Sequence, residues 1–270
     1  MRGKGFLVII SMTTLLFGGC KSLLSDANHL NAFTIDQDKE LGDQVAGEIA
    51  SKPSEYPILP EKGNEKIYGY IRGLTNSIIQ GGSVKYSSQF NWETHIIKDD
   101  KTLNAFCTPG GHIYVYTGLI KYLDSEDQLL GVLGHEIAHA DLRHSTEQLT
   151  KQYGISIVAD ALGGNKTALA QIATSLAGGL AGLQFSRTDE AEADKQSVKY
   201  LCSTPYNAAG AAGFFEKMQA AGTKQPPEWL STHPNPANRI ENIKKVKQES
   251  GCTGTRTNVG EYVKMKALIK

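Results

Sequence analysis

Apolar residues recur at helical spacing over most of the chain. Ile67, Ile71, Leu74 and Ile78 form one stripe and predict an amphipathic helix from Asn64 to about Ile79. A helix before it is predicted from Thr34 to about Ala50, with Asp36 and Gln37 in its first turn, and the Pro-rich "SKPSEYPILPEKG" connects the two. The period then changes. "QFNWETHIIK" alternates as a strand does, and so does "HIYVYT", which follows a turn at Pro109-Gly110-Gly111. Gly118 to Leu123 starts a short helix. Ser125 to His144 reads as a core helix, because Leu129, Leu130, Val132, Leu133, Ile137 and Ala138 give it an inward surface. A long helical stretch rich in small residues runs from Glu147 to about Leu183. A helix through Glu190, then Asn207 to Ala221 and Pro236 to about Glu249, complete the set. "ALAQIATSLAGGLAGLQF", 168 to 185, is uncharged and as long as a membrane span, but its Gly, Ala, Ser, Thr and Gln leave it barely hydrophobic. It reads as a close-packed helix of a globular domain.

Charge narrows the role. The chain has 28 basic and 28 acidic residues, and setting aside Arg2 and Lys4 leaves 26 against 28. That balance argues against nucleic-acid binding and against a polybasic membrane surface. Arg2 and Lys4 precede "FLVIISMTTLLF", an apolar run too short to span a bilayer, and Gly18-Gly19-Cys20 follows. Small residues before a cysteine mark a lipoprotein cleavage site. Residues 1–19 are therefore expected to be a signal peptide, Cys20 a lipidated N-terminus and 20–33 a tether to the membrane. Phe17 stands where such sites usually have leucine, so the alternative is an ordinary cleavage that leaves a secreted protein. Lys21, rather than aspartate, after Cys20 goes with the outer membrane. Residues 34–250 are expected to form one domain and 251–270 a tail. Beyond Cys20 the cysteines are Cys107, Cys202 and Cys252; an odd number leaves at least one thiol without an internal partner, and Cys202 with Cys252 is the pair that could form.

"GVLGHEIAHADLRH", 131 to 144, carries the chemistry. Positions four apart on a helix differ by about 40° in direction, so His135 and His139 aim at one point. Two imidazoles with Glu136 beside the first supply two zinc ligands and a base; the competing reading is a core helix with incidental histidines. His144, five residues past His139, is turned about 140° away on a continuous helix and is not expected to be a ligand. Downstream, "QFSRTDEAEADKQSVKYL" places Ser186 as a helix cap and Glu190 and Asp194 on one face. They suit a third ligand and a carboxylate that orients a ligand histidine, or else they belong to a solvated acidic face.

Together these stretches resemble the zinc metallopeptidase family that includes HtpX and the CAAX prenyl endopeptidases, and within it the periplasmic BepA- and LoiP-like members. The resemblance rests on H-E-x-x-H followed after about 50 residues by S-R-x-x-E-x-x-A-D. "LNAFCTPGGHIYVYTGLI" (103 to 120), "HADLRH" (139 to 144) and "STHPNPANRI" (231 to 240) extend it. Cys107 departs from the small or apolar residue usual before the Pro-Gly-Gly and puts a thiol near the cleft. The resemblance implies an α+β, zincin-like domain, mostly helical, with a small sheet beside the H-E-x-x-H helix. It implies one Zn2+ per chain on His135, His139 and Glu190, with Glu136 as general base and Asp194 orienting a histidine, most simply His135. An edge strand led by Asn104, Ala105 and Phe106 would hold a substrate backbone, and Gly110 and Gly111 would let the chain turn beside it; an ordinary hairpin is the bland alternative. His233, in a loop stiffened by Pro234 and Pro236, would reach the metal. It would latch the fourth position, or swing aside to donate to the oxyanion, or simply sit at a helix entry. Two functions follow. One is an endopeptidase acting on misfolded or stalled proteins of the bacterial cell envelope, from its periplasmic side. The other is a zinc-stabilised, chaperone-like assembly helper with latent protease activity, and a helper has no use for a base at Glu136.

Overall fold

The N-terminal half of the fold is a three-stranded sheet with helices on both faces. In the computed structural model, residues 30–178, 184–221, 228–234 and 238–270 are described. The expected signal peptide, Cys20, most of the tether, residues 179–183 and Pro236 lie outside the described residues. Asn31–Lys270 form one compact unit. Helix α1 (Ile35–Ala50) starts at a capping box in which Thr34 and Gln37 each satisfy the other's backbone N–H, and α2 (Glu65–Ile79) follows.

Strand β1 (Glu93–Ile97) pairs in parallel with β3 (His112–Tyr116), and β2 (Ala105–Cys107) pairs antiparallel with β3, giving the order β1-β3-β2. The two strands read from the sequence are therefore not a hairpin with each other. The Pro-Gly-Gly turn joins β2 to β3 instead, with Gly110 at φ 75° and Gly111 at φ 105°. Period-two alternation gives the sheet two packed faces. Ile96, Ala105, Cys107, Ile113 and Val115 enter one core; Ile97, Phe106, Tyr114 and Tyr116 enter another with α1 residues Leu41, Val45 and Ile49.

Helix α3 (Thr117–Tyr122) leads to α4 (Glu126–Asp141), which carries the H-E-x-x-H residues. The long helical stretch expected after it consists of three helices: α5 (His144–Tyr153), α6 (Ile155–Leu162) and α7 (Lys166–Gly178). Glycines at positive φ, Gly154 at 79° and Gly164 at 110°, break it. Among the described residues no helix is long and apolar enough to cross a membrane. Helices α8 (Arg187–Cys202) and α9 (Gly210–Ala221), the single turn α10 (Trp229–Thr232) and α11 (Arg239–Glu249) complete the first core. The expected tail contains α12 (Val259–Lys266), whose Tyr262 is fully buried and donates to the Ile120 carbonyl at 2.8 Å. Cys202 and Cys252 are joined by a disulfide, and Cys107 is a buried thiol.

Candidate active site

Both ends of α4 are fixed by buried carboxylates. Glu126 accepts from the Tyr70, Tyr206 and Asn258 side chains at the N-terminus, where the helix dipole favours its charge. Asp141, at the unfavourable end, is satisfied by the backbone N–H groups of Lys85 (3.0 Å) and Tyr86 (2.8 Å) and by Tyr200 Oη (2.7 Å). Gly134 lets α8 come close, since a Cβ there would lie 2.7 Å from Ser197 Oγ, and that hydroxyl donates to the Gly131 carbonyl at 2.9 Å. Ser186 and Asp189 form the capping box that sets where α8 begins. With the start fixed, Glu190 and Asp194 face α4 one turn apart.

Four donor atoms converge between these helices. His135 Nε2 lies 3.0 Å from His139 Nε2, 3.4 Å from Glu190 Oε2 and 3.3 Å from His233 Nδ1. Glu190 Oε1 lies 3.5 Å from His139 Nε2 and 2.9 Å from His233 Nδ1. Ligands sharing one tetrahedral ion at bond lengths of about 2.0–2.1 Å stand roughly 3.3 Å apart, so the spacing fits. The tautomers agree. Asp194 Oδ1, 2.9 Å from His135 Nδ1, fixes the proton there and leaves Nε2 a lone pair. His139 Nδ1 meets His144 Nδ1 at 2.9 Å, and with its proton donated there its Nε2 is also a lone pair. Lone pairs facing each other in a dry site need a cation between them. Glu190 Oε2 is buried and completes no hydrogen bond, although Arg239 Nη1 is 2.8 Å away. His135, His139, Glu190 and His233 thus form a buried set fit for a metal ion.

The surroundings hold these charges in place. Burial favours protonation of Glu190 and Asp194, but His233 with the other histidines for Glu190, and Arg239 with His135 for Asp194, outweigh it and keep both pKa values low. Burial drives the His139 pKa well down, whereas at His135 the hydrogen bonds with Asp194 and Glu190 outweigh burial and push the pKa up to about 9. Arg239 donates to Asp194 from Nε at 2.7 Å, and its guanidinium lies over the Phe215 and Trp229 rings. Trp229 Nε1 donates to Glu136 Oε1 at 2.9 Å, and His233 Nε2 lies 3.5 Å from the same oxygen. His135, Glu136, His139 and His233 are each 1% exposed and Glu190 0%, so no peptide reaches them without movement of the chain above.

Residues 69–247 match peptidase family M48. The chain belongs to peptidase family M48. It is similar to the metalloprotease LoiP of Escherichia coli, at 29% identity over 90% of this chain and 96% of that protein. It is 26% identical to the beta-barrel assembly-enhancing protease of E. coli over 78% of this chain and 44% of that protein. With the mitochondrial metalloendopeptidase OMA1 of Bos taurus it shares 33% identity over 66% of this chain and 37% of that protein. The chain thus spans 37% of the bovine relative and 64% of the OMA1 of Schizosaccharomyces pombe.

In this M48 chain β2 is an edge strand of the sheet, and the Trp229 N–H donates to the Leu103 carbonyl at 3.2 Å where it begins. The side chains of Asn104, Ala105 and Phe106 are buried, which leaves backbone as what the strand can offer. Gly110 and Gly111 face the protein itself: a Cβ on Gly110 would lie 2.8 Å from Lys39 Cα, and one on Gly111 3.0 Å from the Trp92 ring. Burial and then the Glu136 charge push the Cys107 thiol well up, so it stays protonated. Sequence reasoning missed Arg239 and Trp229. The only signal for Arg239 was its place in "THPNPANRI", and Trp229 carried none. His144 contacts His139 because α4 ends at Asp141 and Arg143 takes a left-handed φ of 64°, which turns the chain back; the continuous-helix argument does not apply to it.

Proposed function

We propose that the chain is a zinc-dependent endopeptidase of the bacterial cell envelope, acting on polypeptides such as unfolded envelope proteins. The observation that carries this is the convergence of His135, His139 and Glu190 with the Glu136 carboxylate beside them. These three would hold one Zn2+. Bound there, the ion supplies Lewis acidity and brings a water pKa toward neutrality. Glu136 accepts the proton of the attacking water and delivers it to the leaving amine nitrogen. Asp194 keeps the His135 ring in its ligand tautomer. The edge of β2, from Asn104 to Phe106, pairs with the substrate backbone, and the Gly110-Gly111 turn shapes that hairpin.

His233 is a latch in this reading. Its Nδ1 completes the donor set while its Nε2 faces Glu136, so it would block both the metal and the base. Substrate entry requires the α10 segment to swing away. Cys20 anchors the chain through lipid on the periplasmic side, at the outer membrane, as the Cys20-Lys21 pair supports. Labelled palmitate then enters the wild type and not Cys20→Ala.

The deciding experiment measures zinc content and cleavage of an unfolded protein together. Glu136→Gln keeps its zinc and loses activity by about a thousandfold, while Glu190→Ala loses both. Full zinc in Glu190→Ala overturns the ligand assignment. Undiminished cleavage by Glu136→Gln overturns the mechanism. His233→Ala cleaves several-fold faster at unchanged zinc; slower cleavage assigns His233 to the oxyanion instead.

A further inference from the structure

Among the described residues two clusters could hold a metal ion, and the H-E-x-x-H motif accounts for only one. The other lies on the far face of the sheet from the core that contains α4. Parallel register sets Glu93 beside His112 and His95 beside Tyr114, and period-two alternation puts all four on one face. Glu93 Oε2 stands 3.6 Å from His95 Nε2 and 3.6 Å from His112 Nδ1. That is too long for a hydrogen bond, yet it suits two ligands of one ion. Asp43, from α1, lies 2.9 Å from His112 Nε2. It fixes the proton on that nitrogen and leaves Nδ1 a lone pair. His112 is 6% exposed, and both His112 Nδ1 and His95 Nε2 are buried with no hydrogen-bond partner. A cavity of about 330 Å3, bounded also by Ala46, Ile49 and Tyr56, reaches both rings and Glu93.

We propose that Glu93, His95 and His112 form a second metal site, on the wall of that cavity, for a divalent transition ion such as Zn2+, with Asp43 holding the His112 ring. Two imidazoles and one carboxylate select zinc, nickel or copper over magnesium or calcium. An ion there ties the sheet to α1 through Asp43. The site needs none of the residues of the α4–α8 cluster, so it stands or falls apart from the peptidase reading.

The test is calorimetric titration of the intact chain, already carrying its first equivalent of zinc, with ZnCl2 and separately with MgCl2. Wild type is expected to take up a second equivalent of zinc and no magnesium. Glu190→Ala keeps this uptake. Glu93→Gln, at an exposed position, and His95→Gln weaken it by at least roughly tenfold, and Asp43→Asn by about tenfold. Circular dichroism verifies that each variant is folded. The proposal is overturned if wild type shows no second equivalent, or if Glu93→Gln and His95→Gln bind it as tightly as wild type does.

Discussion

The two histidine clusters use the same side chains in opposite ways. On α4 two rings are held from behind, His135 by Asp194 and His139 by His144, and their facing nitrogens are sealed from solvent. On the sheet His112 is held by Asp43, His95 lacks a partner at Nε2, and Glu93 is exposed. A closed cluster needs compensating charge, and Arg239 supplies it between Glu190 and Asp194. A cluster whose carboxylate is exposed leaves that compensation to water. The difference teaches that burial, more than ligand identity, decides how much supporting structure a metal-ligand set requires.

Removing that support breaks the contrast most severely. Arg239→Leu leaves two buried carboxylates beside each other without their cation. The expected loss is about 3–5 kcal/mol of stability, read by urea unfolding, and equal stability would show that the carboxylates need no such partner. The Cys202–Cys252 disulfide comes next. It staples the C-terminus of α8, the helix that carries Glu190 and Asp194, across a sequence separation of 50 residues. Cys202→Ser is expected to cost about 2–4 kcal/mol, and reductant is expected to destabilise the wild type to the same extent and the variant not at all.

How much of this was legible follows from how local each feature is. His135 with His139, and Glu190 with Asp194, are spaced one helical turn apart, so periodicity alone brings each pair together. The caps of α1 and α8 are equally local, as Thr34 and Ser186 show. The pairing of β1 with β3 was not legible. It joins Glu93 to His112 across an intervening strand, and nothing in either segment specifies that register. Arg239 acts through space on Asp194, 45 positions away, and Trp229 on Glu136, 93 positions away, so no helical spacing could flag them. The breaks at Gly154 and Gly164 carried a signal that the small-residue composition obscured. The left-handed turn at Arg143 carried none, because a non-glycine residue there is uncommon; its guanidinium is held by Asp38 and the Phe33 carbonyl.

That turn gives the smallest effect and the sharpest test. It brings His144 onto the back of His139, where the two Nδ1 atoms lie 2.9 Å apart, so that His144 can accept the His139 proton, and His144 Nε2 lies 3.4 Å from Glu192. If His144 orients a ligand, removing its acceptor lets the His139 ring rotate and lose its tautomer. His144→Leu is therefore expected to weaken zinc binding by about 10- to 100-fold, measured against a competing chelator. His144→Gln, whose amide oxygen still accepts, is expected to recover most of that loss. A role in packing alone gives the reverse order, because leucine fills the buried space at least as well as glutamine does, and equal zinc affinity in all three proteins would remove His144 from the site altogether.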